Sequence, residues 1–275
     1  MHFLCGIDTS DHAPAVAYAA AHVAERMGAE LTLAHVAPTT GQTVSARELD
    51  ALADDVAAGF GTRPDVCVAR DADPAAGLTT IARELASDLI VVGATARGRV
   101  ADALRPGLRD ALVEQAGCPV MVVPPGAASP TGDGVAVAYD SLAASGSAAA
   151  VAAHLASALE EPLTVVHVLP DPRSSTRPVL PMHDDVRRVV DDALDGEELD
   201  LRHVFAYRLP AAHLAQTVAQ VQPALLAVAA PRRGWRSLVR PSAGARLLRR
   251  ASSPVVVVAE GAAVRSRRTA LVASS

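Results

Sequence analysis

The chain contains no lysine and no asparagine, and aromatic residues make up only 3% of its 275 positions. Without lysine, a phosphate-loop lysine, a Schiff-base lysine and pyridoxal phosphate chemistry are all excluded. With few aromatics, packing must rest on Ala, Val and Leu, within an apolar fraction of 50%. The three cysteines, Cys5, Cys67 and Cys118, are odd in number and lack CxxC spacing. They fit apolar packing in a reducing compartment better than a disulfide framework or a metal site. No apolar run reads as a membrane span. The start MHFLCGID lacks a basic segment ahead of a long apolar core, so a cytoplasmic protein is expected, with no membrane partner. GxSxG, HExxH and paired metal-ligand patterns are also missing, which argues against a hydrolase nucleophile or a metalloenzyme.

What the chain does contain, it contains twice. CGIDTSDHAPAV and AELTLAHV in the first half are matched by AVAYDSLAASGS and EPLTVVHV in the second. Asp8 and Asp140 are 132 positions apart, as are His35 and His167. Further on, Arg105-Pro106-Gly107 pairs with Arg240-Pro241-Ser242, and CPVMVV from Cys118 pairs with SPVVVV from Ser253. A period this long means two copies of one domain. The expected organisation is a first domain over 1–125, a Pro/Gly/Ser linker over 126–133, a second domain over 134–260 and a tail over 261–275. The net charge of −5 is unevenly placed: residues 227–268 hold ten arginines against one acid, Glu260. This cluster reads either as a solvated helix face or as a surface for phosphate or a partner.

Each half alternates apolar strands with helical periods. The first begins with a strand over His2–Ile7 and a helix over Pro14–Met27, capped by Ser10 or Asp11 and closed by Gly28. Strands at Leu31–Val36, Asp65–Ala69, Asp88–Gly93 and Val120–Val123 follow, separated by helices at Ser45–Ala58, Asp73–Ala86 and Pro106–Gln115. The second half repeats the order, with a last helix at Ser242–Arg250. Strands apolar throughout and separated by helices predict α/β domains, each a five-stranded parallel sheet flanked by helices in a doubly wound, Rossmann-like arrangement. Ligands in such sheets sit beyond the carboxyl ends of the strands, which directs attention to Asp8, Thr9 and the segment from Gly93 to Gly98.

The stretch DLIVVGATARGRVADALRPGLRDALVEQAGCPVMVV, with a strand ending in Asp8, then Thr9 and a helix, then AELTLAHV, closely resembles the universal stress protein family. The resemblance runs through both halves, about 250 of the 275 residues. It implies two tandem domains of the adenine nucleotide alpha hydrolase-like type, paired as an internal pseudo-dimer that can dimerise further. It also implies a non-enzymatic stress-response role, with ATP or another adenine nucleotide as ligand. Slow ATP hydrolysis stays open; no metal is required, and Mg2+ would come only with ATP. Many members bind ATP through Gly, two residues, Gly, nine residues, then Gly and Ser/Thr, where small residues bring backbone amides to phosphate. Those positions here are Gly93, Ala96, Pro106 and Gly107. Pro106 has no N–H to donate.

On this resemblance the first copy's binding residues are Ile7, Asp8, Thr9, Val36, Gly93, Ala94, Ala96, Arg97, Gly98, Gly107 and Leu108, and the second copy contributes Asp140 and Ser242. The second copy is expected to be the poorer site. Ala229 replaces Gly93, and Tyr139, bulkier than Ile7, is expected to fill part of the base pocket. His35 and His167 are expected at strand ends, with no second histidine or carboxylate spaced for chemistry. The alternative is a nucleotide-free scaffold that recruits an unknown regulatory protein through the arginines of the second domain. No specific nucleic acid partner is indicated.

Overall fold

The computed structural model describes residues 1–38, 43–94, 108–127, 132–139, 143–169, 180–195, 198–207, 211–230 and 253–264. The chain divides into two units, Met1–Pro130 with Val264–Ser275, and Thr131–Ala263.

Among the described residues, the first unit runs β1 (His2–Gly6), α1 (Ala13–Met27), β2 (Glu30–Ala37), α2 (Ala46–Phe60), β3 (Asp65–Arg70), α3 (Pro74–Glu84), β4 (Leu89–Gly93), α4 (Leu108–Gln115) and β5 (Val120–Val123). Its strands are parallel, in the order β3-β2-β1-β4-β5. After β3 the chain crosses back past β1, so β1 and β4 flank the point where the winding reverses. The second unit runs β6 (Val135–Tyr139), α5 (Ala143–Leu159), β7 (Leu163–Leu169), α6 (Leu180–Ala193), β8 (Leu201–Tyr207), α7 (Ala211–Val221), β9 (Leu225–Ala229) and β10 (Val255–Val258). Its order, β8-β7-β6-β9-β10, is the same winding, again parallel. The fold is thus two copies of a Rossmann-like α/β domain. The helix expected at Ser242–Arg250 lies outside the described residues.

Local signals explain most helix ends. Pro74 starts α3 behind Asp73, whose carboxylate accepts from the Ala75 N–H at 2.9 Å. Ser45 and Glu48 form a reciprocal capping box on α2. Gly28 ends α1 in the left-handed region, φ 60°, and the Ala29 N–H reaches the Ala24 carbonyl at 2.8 Å. The start of α1 departs from expectation: His12 occupies the cap and makes no side-chain cap bond. Ser10 turns back to Asp8 instead, and its carbonyl accepts from the Ala13 N–H at 3.0 Å. The aspartate ahead of Ser10 outcompetes the helix for its hydroxyl.

The cores are aliphatic. Leu89, Ile90 and Val91 of β4 and Val135, Ala136 and Val137 of β6 are fully buried, as sheets covered on both faces require. Cys5 and Cys118 are buried among them; burial pushes both thiols up, Cys118 to about 11, so neither is a reactive thiolate.

Candidate functional site

The carboxyl ends of β1, β2 and β4 enclose a cleft of about 250 Å3. β1 and the turn after it supply Gly6, Ile7, Asp8 and Thr9; β2 and its exit supply Ala34, His35, Val36 and Pro38. Pro74 and Leu78 of α3 close one side, and Val92 and Gly93 of β4 the other. Two glycines allow these elements to come so close. A Cβ on Gly77 would stand 2.7 Å from Val36 Cγ1, so only glycine lets α3 lie this near β2. A Cβ on Gly93 would stand 2.9 Å from Val16 Cγ2, so Gly93 has a packing duty against α1 whatever else it does.

The polar groups of the cleft are held in place. Asp8 Oδ1 accepts from the Ser10 N–H at 3.0 Å and from the Ser10 hydroxyl. That turn fixes the carboxylate and leaves Oδ2 without a partner among the described residues. His35 is buried, at 4% exposure. Its Nε2 accepts the Val44 N–H at 3.1 Å, so the proton sits on Nδ1, which donates to the Ile7 carbonyl at 2.7 Å. Thr43 Oγ1 stands 3.1 Å from the same Nε2. His35 therefore ties the end of β1 to the approach to α2, consistent with the structural role expected of a strand-end histidine.

Of the residues singled out in the sequence, Ile7, Asp8, Thr9, Val36 and Gly93 come together in this one cleft. Ala94 follows Gly93, but its N–H is bonded to the Val123 carbonyl at 2.8 Å. Leu108 is the first residue of α4. Ala96, Arg97, Gly98, Gly107, Asp140 and Ser242 lie outside the described residues. Sequence reasoning missed Leu78 and Pro74, although a spacing of four on a helix that starts beside the strand ends puts them on one face. Gly6 and Val92 were missed because strand partners cannot be read from a single strand. Among the described residues, no group of three or more His, Cys, Asp or Glu is arranged to hold a metal ion. Nor, among them, is any helix long and apolar enough to cross a membrane.

The second unit differs at the equivalent rung. Where the first has Ile7, His35 and Val68 side by side, the second has Tyr139, His167 and Phe205. His167 is fully buried, with Tyr139 edge-on at 6.2 Å and Phe205 stacked at 4.9 Å. Its Nε2 lies 2.9 Å from His203 Nδ1, so parallel register supplies the second histidine that sequence spacing did not show. In the first unit Val36 packs on Gly77 of α3, and both it and its strand neighbour His35 line the cleft at the strand ends. The Tyr139 ring, which the sequence reading expects in part of the base pocket, packs edge-on against His167.

Comparison with known proteins agrees with the fold. The model of the universal stress protein family matches residues 1–124 and again 133–259. A universal stress protein from Archaeoglobus fulgidus DSM 4304 is similar at 15% identity, over 94% of this chain and 96% of that one, with a TM-score of 0.70. A functionally unknown protein from Pseudomonas aeruginosa PAO1 is similar at 16% identity, over 94% and 92%, with a TM-score of 0.61. A universal stress protein from Archaeoglobus fulgidus, solved in complex with dAMP, covers 44% of this chain and 96% of its own, at 22% identity and a TM-score of 0.35. No curated protein matches the chain significantly. Two matches to one family model, spanning two units of one winding, make this chain a member of the universal stress protein family, in tandem form.

Proposed function

We propose that this chain is a non-catalytic, cytoplasmic stress-response regulator whose first domain, residues 1–125, holds an adenine nucleotide. The second domain, residues 134–260, is the scaffold half of the pair, and the two are joined by the linker at 126–133. The observation that carries this reading is the cleft at the winding reversal, where Asp8, Thr9, Val36 and Gly93 converge beside a fixed carboxylate. Ile7 and Val36 would offer apolar surface to a base. Asp8 Oδ2 would accept from a ligand hydroxyl or amine. The ligand acts here as a signal that orders the site. His35, the histidine that lines the cleft, has both ring nitrogens engaged and so offers no free base there. Among the described residues no group of three or more His, Cys, Asp or Glu forms a cage for Mg2+, so a metal there would arrive with the phosphates.

The test is gentle denaturation of the purified chain, with identification of any released nucleotide, followed by calorimetry on the nucleotide-free protein. Adenylate released from the wild type and absent from Asp8→Ala is the expected outcome; no nucleotide and no binding heat would overturn it. A second reading, a scaffold without nucleotide, is favoured by one observation: the Ala94 amide, next to the first motif glycine, is already bonded to Val123. In that reading Arg232, Arg233 and Arg236 recruit a partner, and their substitution would abolish a pull-down that nucleotide does not affect.

A further inference from the structure

Resting on the adenine-nucleotide reading, we infer that His35 is a positioning residue that carries occupancy of the first-unit cleft to the amino end of α2. Its ring lines the cleft and is buried, and its two nitrogens hold main-chain groups far apart in sequence. Nδ1 donates to the Ile7 carbonyl at 2.7 Å, and Nε2 accepts the Val44 N–H at 3.1 Å. The Ile7 carbonyl belongs to the planar peptide that joins Ile7 to Asp8, so the ring sets how that peptide lies. The Ile7 N–H in turn bonds the Ala34 carbonyl at 2.8 Å, so β2 grips Ile7 by both of its main-chain groups. Asp8 follows directly, with Oδ1 fixed by the Ser10 N–H at 3.0 Å. A ligand that moves Asp8 therefore moves the peptide that the ring holds.

The other nitrogen faces the chain entering α2. Val44 precedes Ser45, whose hydroxyl accepts the Glu48 N–H at 3.2 Å while Glu48 Oε2 accepts the Ser45 N–H at 2.8 Å. A shift at Val44 thus reaches a closed reciprocal cap one residue later. Burial makes the ring a stiff link: a polar group away from water loses much when its partner moves off, so the two ring bonds respond together. The second copy keeps the histidine and changes what it holds. His167 Nε2 lies 2.9 Å from His203 Nδ1 of β8, where the register of the first unit places Val66, a residue without a polar side chain. The same ring nitrogen holds an edge strand in one copy and the entrance of a helix in the other.

Backbone amide exchange on the full chain, with and without saturating adenosine, tests this. Without ligand, the Val44 amide of the wild type should exchange about tenfold more slowly than that of His35→Asn, whose shorter side chain reaches the Ile7 carbonyl but not Val44. Adenosine should slow the Val44 and Glu48 amides of the wild type by at least about threefold. Val44→Pro deletes the N–H and leaves the buried ring in place. Calorimetry should show it binding adenosine within about threefold of wild type, while its Glu48 amide no longer responds to the ligand. A Glu48 response kept in Val44→Pro would overturn the inference, as would adenosine binding that leaves Val44 and Glu48 unchanged in the wild type. Equal ligand-free exchange of Val44 in wild type and His35→Asn would also overturn it. If adenosine does not bind, the adenine-nucleotide reading fails and the transmission with it, while the ligand-free comparison still reports whether His35 holds Val44.

Discussion

The two units share one winding but keep it in different ways. In the first, glycine ends β4 and a valine of α1 packs over it: a Cβ on Gly93 would meet Val16 Cγ2 at 2.9 Å. In the second, alanine ends β9, and the position equivalent to Val16 is Ala148, fully buried. The helix gives up two carbons and the strand gains one. The exchange relieves the clash that a Cβ on Gly93 would make and refills part of the space the valine gives up. The lesson concerns the motif glycine. Its loss from the second copy does not by itself signal a lost phosphate site, because packing alone accounts for the swap. At the next residue the two copies make the same bond, Ala94 N–H to the Val123 carbonyl and Ala230 N–H to the Val258 carbonyl, both at 2.8 Å. The copies diverge more in the rung above the core, aliphatic around His35 and aromatic around His167.

The sharpest way to break this comparison is to remove the paired aspartates in turn. Asp8→Ala should weaken adenosine binding by at least about tenfold, since it deletes a charged acceptor, worth about 1.5–3 kcal/mol in a hydrogen bond. Asp140→Ala should leave it within about twofold, because the cleft lies in the first unit. Calorimetry reads both. Equal losses from the two would show that the copies are functionally alike.

A smaller effect tests the packing exchange directly. Gly93→Ala should destabilise the first unit by about 1–3 kcal/mol through overpacking, and Val16→Ala by about 1–3 kcal/mol through a cavity. The double variant recreates the second unit's pair and should cost less than the sum, with a coupling of about 1 kcal/mol. Urea unfolding of the four proteins gives the cycle. Strict additivity would dispose of the exchange.

Fold and site were not equally legible in sequence. Strand and helix order could be read because apolar strands, Asp73-Pro74, Ser45 with Glu48, and Gly28 are local signals. The lower end of the site could be read as well, since Asp8, Thr9 and Gly93 close apolar runs, and the winding sends strand ends to one cleft. What could not be read were contacts made across strands. His203 beside His167, and Phe205 stacked on it, depend on parallel register. The start of α1 was misread for a local reason: Ser10 has two suitors, the helix and Asp8, and sequence does not rank them.

A still smaller difference lies at the helix ends. Gly28 closes α1 at φ 60°, and Glu160 closes α5 at φ 57°, with the same return bond, Glu161 N–H to the Ala156 carbonyl at 2.9 Å. A side chain in the left-handed region is strained where glycine is not. Glu160→Gly should therefore raise the second unit's stability by about 0.5–1 kcal/mol, and Gly28→Ala should lower the first unit's by a similar amount. A melting shift of the same sign for both would contradict the equivalence of the two ends.

Acid should distinguish the units by the smallest margin. His2 bonds Ser87 Oγ at 3.1 Å and Thr32 Oγ1 at 2.9 Å, and burial lowers its pKa below 6.5, against the pull of Glu30 and Asp88. Its counterpart in the second unit is Gly134, which cannot titrate. With the folded value depressed, the unfolded chain binds the proton more readily, so stability is in full force above pH 6.5 and declines as pH falls below it. His2→Gln keeps donor and acceptor without the titration. Its melting temperature, compared with wild type, should be relatively higher at pH 5.5 than at pH 7.5, values chosen to bracket the ordinary histidine range of about 6.5. A difference that does not move with pH would show that the His2 titration does not contribute to the acid response.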